Sequence, residues 1–278
     1  MMVAAMLDLI DSLPPGARVL DLGARTGSFA TSRNDLGIIR LDLDPPGPSP
    51  SPQTCGVFLQ ADAARLPFPA ACFDVIVSNH SLEHFVDLEN SIREIGRVVK
   101  PSGVLYVAVP DAGTLTDRIY RWLGKGGGHV NAFRHPSEVV RLIERWTPLV
   151  HRSTTVLYSS LCFLNARNQS GRPQRKLALF AFGNERFLAW LTWSLRRVDR
   201  AVGTRWSVYG WSFRFGNAPP ETHAGWTNVC VRCGSGAPAD FLRQSGTVLR
   251  GPAGISRYLC PNCGAPNLLT PDFHSAAP

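Results

Sequence analysis

A chain of 278 residues, 44% of them hydrophobic, can bury one sizeable core and still leave material for a small appendage. No stretch reaches roughly 18 uninterrupted apolar residues, and the opening MMVAAMLDLIDSL carries Asp8 and Asp11 where a signal peptide would carry lysine or arginine. This excludes a membrane span and predicts a cytoplasmic protein that begins with a short helix. The formal net charge is +8, yet residues 161–215 hold 10 Arg and Lys against 2 Asp and Glu, while 1–160 hold 15 against 16 and 216–278 hold 4 against 3. Such a block is either a solvated arginine-rich face or a surface for a polyanionic neighbour.

In chain order, Val19-Leu20, Ile38 to Leu41, Val57 to Leu59, Phe73 to Val77 and Val104 to Val109 read as short buried strands. Between the last two, Ser91 to Val99 places Ile92, Ile95 and Val99 on one helical stripe, and Lys100-Pro101-Ser102-Gly103 stops it. Strand and helix in alternation predict a parallel sheet covered on both faces, with ligands at the carboxyl ends of its strands. Those ends are polar. Strand one ends at Asp21 and runs into Gly23 and Gly27, which allow a tight turn before a helix expected near Ser28. Strand two ends at Asp42, about twenty residues on, where a carboxylate can accept hydrogen bonds from ribose hydroxyls. Strand three ends at Asp62-Ala63, an acceptor beside a backbone amide that suits an adenine edge, and strand four at Ser78-Asn79-His80.

The pieces VLDLGARTGSFA, RLDLDPP, QADAARLPFPAACFDVIVSNHSLEHF and SIREIGRVVKPSGVLYVAVPD resemble, in order and spacing, the class I S-adenosylmethionine-dependent methyltransferases, in particular the type 11 group. The resemblance covers roughly residues 17 to 146 and implies an α/β, Rossmann-like fold. It also implies that Asp21, Gly23 and Gly27 cradle the methionine part, with Asn79 close by. Asp42 would hold the ribose, and Asp62 with the Ala63 amide would meet the adenine. A dinucleotide dehydrogenase fits less well, because no full Gly-x-Gly-x-x-Gly follows strand one. Arg25 departs from the family pattern, in which glycine is commonest at that position. Either the two outer glycines suffice for the turn, or the guanidinium pairs with the methionine carboxylate.

A sulfonium methyl is already activated, so catalysis needs in-line positioning and, for a hydroxyl acceptor, removal of a proton. His129, after GKGGG, and His80 are the expected catalytic residues, with Glu83 orienting a neighbour and His84 and His135 satisfying local hydrogen bonds. Residues 1–160 thus read as the methyltransferase domain. Residues 161–222 read as a basic, aromatic-rich helical segment, in which 186–202 puts Phe187, Leu188, Leu191, Leu195, Val198 and Val202 on one face and Arg186, Arg196, Arg197 and Arg200 with Trp193 on the other. That helix is either a lid or a peripheral contact with an anionic membrane at its inner face. The aromatic WSVYGWSFRFG that follows is either a binding surface or an anchoring hydrophobic cluster.

Residues 223–278 carry Cys230-x-x-Cys233 and Cys260-x-x-Cys263, two knuckles 26 residues apart, each followed by a glycine. Four thiolates at this spacing suit a structural, tetrahedral zinc site and resemble a zinc ribbon. Cys55, Cys72 and Cys162 read as ordinary thiols. The function expected is methyl transfer, at oxygen, to a small-molecule or saccharide-like acceptor that is lipid-linked in one version. The whole chain resembles methyltransferases of surface polysaccharide assembly. An RNA methyltransferase using the ribbon and basic segment is the alternative, with RNA the weaker partner because the ribbon holds few basic residues and Asn-Pro-Pro-Tyr is missing. A non-catalytic cofactor-binding scaffold or sensor is a third.

Overall fold

The structure, a computed structural model, describes residues 4–25, 27–29, 31–45, 56–123, 128–168, 183–218, 226–251 and 255–271. A seven-stranded sheet organises the larger part. It is built from β1 (Arg18–Leu22), β2 (Gly37–Asp42), β3 (Val57–Gln60), β4 (Phe73–Asn79), β5 (Val99–Pro110), β6 (His151–Tyr158) and β7 (Val208–Gly216) in the order β3-β2-β1-β4-β5-β7-β6. The first five strands are parallel, and β7 runs antiparallel to both β5 and β6. Successive residues of each strand point to opposite faces, which sorts the core into two layers. Leu20, Ile76 and Leu105 pack with Ile92 and Ile95 of α2 (Leu88–Val98) and Val139 and Ile143 of α4 (Pro136–Trp146). Their neighbours Val19, Val75 and Tyr106 pack with Met6, Leu9 and Ile10 of α1 (Ala4–Asp11), the short opening helix. α3 (Leu115–Leu123) follows β5.

All five strands expected from the sequence are present, and two more complete the sheet. The aromatic stretch WSVYGWSFRFG supplies β7, so this part of 161–222 belongs to the seven-stranded sheet rather than to a separate segment. Its aromatics are buried because the strand has a neighbour on either edge and covered faces above and below, and Trp211, Phe213 and Phe215 enter the core. The helix expected near Ser28 is not found among the described residues between β1 and β2. Arg33 instead ties this stretch down, donating to Asp35 and to the carbonyls of Asp11 and Leu13. The run Thr31-Ser32-Arg33-Asn34-Asp35 is rich in side chains that favour such turns over a helix.

The basic helix forms as α5 (Glu185–Val202), capped at its start by Asn184, whose side chain accepts from the Arg186 amide, and at its end by left-handed Gly203. Its buried residues are Leu188, Ala189, Thr192 and Arg196. Arg196 therefore does not share the exposed face with Arg197 and Arg200. It is 2% exposed and donates to the Ser159 carbonyl at 2.9 Å, while Val202, expected on the apolar stripe, is 71% exposed. The reason is that α5 lies between two bodies, so its buried stripe turns to meet both. Leu188 and Ala189 pack with Leu161 and Leu164 of the larger domain and with Val231 near the first cysteine knuckle. Glu185 pairs with Arg232 through two contacts of 2.6 Å.

The C-terminal part joins β8 (Asn228–Val229) to β9 (Gly236–Ala237), and β10 (Val248–Arg250), β11 (Ser256–Leu259) and β12 (Pro266–Leu268) into a three-stranded sheet, with α6 (Ala239–Gln244) between the two. No helix of the described residues is long and apolar enough to cross a membrane.

Candidate active site

Parallel pairing in register brings the carboxyl ends of β1 to β4 to one edge, so residues far apart in the chain face one cleft. Gly23 turns the chain after β1 with φ +72°, and a Cβ there would meet the Ser81 Cβ at 2.3 Å. Asp21 sits beneath the turn, 1% exposed, and holds it closed by accepting from the Ser28 amide at 2.8 Å. Burial pushes its carboxyl up to about 6, against the stabilising hydrogen bond from Ser28. The second carboxylate oxygen of Asp21 and the side-chain oxygen of Asn79 are buried without a partner. Asp42 accepts the amides of Arg25 at 2.8 Å and Asp44 at 3.0 Å, one on each oxygen. Asp62 accepts the Ala64 amide at 2.9 Å. Arg25 adopts φ +41°, a left-handed conformation in which a side chain is strained.

The next part of the cleft is rich in acid and base groups. After β4 the chain enters a single 3₁₀ turn, Leu82–His84, whose Glu83 is 1% exposed. Burial raises the Glu83 carboxyl to about 8, and one of its oxygens has no partner. His80, at φ +56°, has its ring packed edge-on to Tyr209 with 4.9 Å between centroids, both nitrogens unpartnered and Nδ1 3.9 Å from Glu83. Burial lowers its pKa to about 3, which keeps it neutral. The segment after residue 127 is stapled to this turn. Val130 and Asn131 donate their amides to the Glu83 carbonyl at 2.8 and 3.0 Å, and the Asn131 side chain donates to the carbonyls of Leu82 and Phe85. His129 is thereby brought to 4.9 Å from the His84 ring, stacked on Tyr120 and 3.3 Å from Asp117. Asp117 is in turn held by Arg121 at 2.6 Å.

These groups share the wall of one cavity of about 740 Å³. Gly23, Asp42, Asp62, Ala63, His80 and His129, all named from the sequence, line it; Asp21, Gly27 and Asn79 do not. Glu83, His84, Tyr120 and Tyr209 also line it, as does Cys162 with its neighbours Ser159 to Phe163. Of these, Glu83 and His84 read from the sequence as local structure, Cys162 as an ordinary thiol, and Tyr209 as part of the aromatic stretch WSVYGWSFRFG. The spacing Asp117, Tyr120, Arg121 on α3 held a readable signal, since i, i+3 and i+4 share a helical face. What it faced could not be read. His135 precedes α4 as its N-cap residue and does not line the cavity.

Residues 20–107 match the family described as a methyltransferase domain. The chain carries an S-adenosylmethionine-dependent methyltransferase domain. Among its curated relatives, an uncharacterized methyltransferase of Mycolicibacterium gilvum (strain PYR-GCK) is 27% identical over 65% of this chain and 69% of its own length. A malonyl-[acyl-carrier protein] O-methyltransferase of Serratia marcescens is 32% identical over 43% of this chain and 49% of its own. The chain thus spans between half and seven-tenths of the length of these two relatives. A solved S-adenosylmethionine-dependent methyltransferase from Archaeoglobus fulgidus covers 76% of this chain and 91% of its own with a TM-score of 0.50 at 15% identity, a likeness of fold. The methyltransferase domain's donor end fits its cofactor chemically. Each oxygen of Asp42, which lines the cavity, accepts one amide and keeps a lone pair that a ribose hydroxyl could use.

Beyond this domain, Cys230, Cys233, Cys260 and Cys263 converge from the two knuckles. In each knuckle the first cysteine amide and carbonyl make the same bonds: Cys230 with Ser235 and Gly234, Cys260 with Ala265 and Gly264. Gly234 and Gly264 take φ +73° and +69°, a left-handed turn that glycine adopts without strain. The sulfur pairs Cys230 with Cys263 and Cys233 with Cys260 stand 3.6 and 3.7 Å apart, too far for disulfides. Cys72 is a buried free thiol, Cys162 a half-buried one, and Cys55 lies outside the described residues.

Proposed function

We propose that the protein methylates a hydroxyl of a small or saccharide-like acceptor. The observation that carries this reading is the single cavity in which the donor-holding residues Gly23, Asp42, Asp62 and Ala63 share a wall with a buried acid-base group. Bound at the donor end, S-adenosylmethionine supplies a methyl on a positively charged sulfur, which an oxygen nucleophile can take. The chain's own residues handle the acceptor. His129 takes the hydroxyl proton as the oxygen attacks, and Asp117, 3.3 Å away, steadies the positive ring that results. His80, kept neutral by burial, and Glu83, kept protonated, provide polar but uncharged contacts beside it. Ser159 to Phe163 supply the remaining wall of the same cavity.

The cluster of four cysteines fits zinc. A tetrahedron with Zn–S bonds of about 2.3 Å has edges of about 3.8 Å, close to the 3.6 and 3.7 Å found. Its role in this reading is structural: it holds the ribbon against α5 and so supports the cavity's far wall. The outer face of α5 carries exposed Trp190 with Arg186, Arg197 and Arg200, a composition suited to an anionic bilayer surface and hence to a lipid-linked acceptor.

The test begins with calorimetric binding of S-adenosylmethionine to the zinc-loaded protein. Micromolar affinity, weakened about tenfold by Asp42→Ala through loss of ribose hydrogen bonds, is expected. A screen of hydroxyl acceptors follows, in which His129→Gln lowers kcat by about 10²–10⁴-fold while donor affinity stays. A folded protein that binds no S-adenosylmethionine would overturn the proposal.

A further inference from the structure

The geometry points to a second metal site, separate from the cysteines: Glu83, His84 and His129 form a binding site for one divalent first-row transition cation inside the acceptor pocket. Each residue offers one ligand atom, and the three atoms lie within 4.8 Å of one another. With metal–ligand distances of about 2.0–2.2 Å, ligands at tetrahedral angles stand about 3.3–3.6 Å apart. The trio therefore closes by at most about 1.5 Å, which is within reach of side-chain rotation.

Three features prepare these side chains as ligands. Glu83 is 1% exposed with one carboxyl oxygen unpartnered, and a bound cation would take the place of the proton that this buried group otherwise keeps. His84 Nδ1 lies 3.0 Å from the Gly128 carbonyl. A carbonyl can only accept, so Nδ1 carries the hydrogen and Nε2 presents its lone pair. The His129 side chain is 5% exposed and has Asp117 at 3.3 Å from its Nδ1, while Arg121 holds that carboxylate in place. The carbonyl that fixes the His84 ring is the usual support of a metal-ligating histidine, while at His129 the carboxylate lies beside Nδ1 without hydrogen-bonding it. The two segments are also locked together, since the Val130 and Asn131 amides bond to the Glu83 carbonyl.

Two imidazoles and one carboxylate favour Mn²⁺, Fe²⁺, Co²⁺, Ni²⁺ or Zn²⁺ over Mg²⁺ or Ca²⁺. Three protein ligands leave coordination positions open to the cavity. Resting on the proposed methyl transfer to oxygen, the cation there takes the acceptor oxygen and lowers its pKa, so that the proton passes to water. The oxygen–carbon bond then forms as the sulfur–carbon bond breaks, with the electron pair returning to sulfur. In that state His129 serves as ligand rather than as the destination of the proton.

The experiment titrates Mn²⁺ into protein loaded with one zinc per chain, which the four thiolates hold, and follows free Mn²⁺ by electron paramagnetic resonance. Manganese is chosen because it competes poorly for thiolates. One saturable Mn²⁺ per chain is expected. Glu83→Gln, an isostere, and His84→Ala, at an exposed position, should each weaken it at least tenfold with zinc content and melting temperature unchanged. A folded wild-type protein that takes up no Mn²⁺ at millimolar concentration, or variants that bind it as the wild type does, would overturn the site. S-adenosylmethionine calorimetry on the same samples separates the two readings: donor binding without Mn²⁺ uptake removes only the metal site, and Mn²⁺ uptake without donor binding removes only the proposed function.

Discussion

Asp21 and Arg25, in one turn, show how single residues carry opposed demands. The unfolded chain releases the Asp21 proton near 3.8 and the folded chain near 6, chiefly because burial disfavours the anion. Between those values the folded state binds more protons, so this residue's contribution makes stability fall as pH rises. Asp21→Asn, which keeps an acceptor for Ser28, should remove that fall, worth on the order of 2 kcal/mol. Chemical denaturation of both proteins from about pH 4 to about pH 7 reads it directly. Arg25 carries left-handed strain at φ +41° while its amide braces Asp42. Arg25→Gly should therefore raise stability by about 1 kcal/mol and leave donor affinity as it was. A tenfold loss of affinity would instead mean that the guanidinium pairs with the methionine carboxylate.

At the scale of elements, α5 couples the cysteine ribbon to the cavity. One side of it meets Leu161 and Leu164, which follow the cavity-lining Ser159 and Ser160, and the other meets Val231 and, through Glu185, Arg232 beside the first knuckle. The Asn165 and Asn168 side chains add hydrogen bonds from the same segment to the carbonyls of Val231 and Arg232. Removing zinc with a chelator should therefore do more than unfold a terminal appendage. The expected result is a lower melting temperature together with weaker retention of acceptor, while donor binding at Asp42 persists. Thermal melts and calorimetry with and without chelator check this. Glu185→Gln should reproduce a small part of it, a drop of roughly 1–3 °C, because the Glu185–Arg232 pair is one of several contacts that hold the ribbon on α5.

Across the whole molecule, the described basic residues of 161–215 divide in three. Arg196 and Arg214 are buried, Arg167 and Arg205 pair with Glu185 and Asp111, and Arg186, Arg197 and Arg200 face outward beside exposed Trp190. Sedimentation with vesicles should show binding to anionic lipid that weakens with salt and vanishes for neutral lipid, with Trp190→Ala and Arg197→Glu each reducing it. Binding unchanged by charge would sink the membrane contact. Much of this architecture was legible beforehand. The first five strands, the polar residues at their ends and the two cysteine knuckles were readable because each rests on local chemistry: apolar runs, a turn that needs glycine, or a short spacing of thiols. The sequence by itself thus determined the five strands with their polar ends and the cysteine cluster. Only the tertiary structure decided that WSVYGWSFRFG is a core strand, that Arg196 is buried, and that Glu83, His84, His129 and Asp117 meet. Those outcomes depend on which segments, far apart in the chain, are brought against one another, and neither a strand pairing nor a buried arginine leaves a mark at short range.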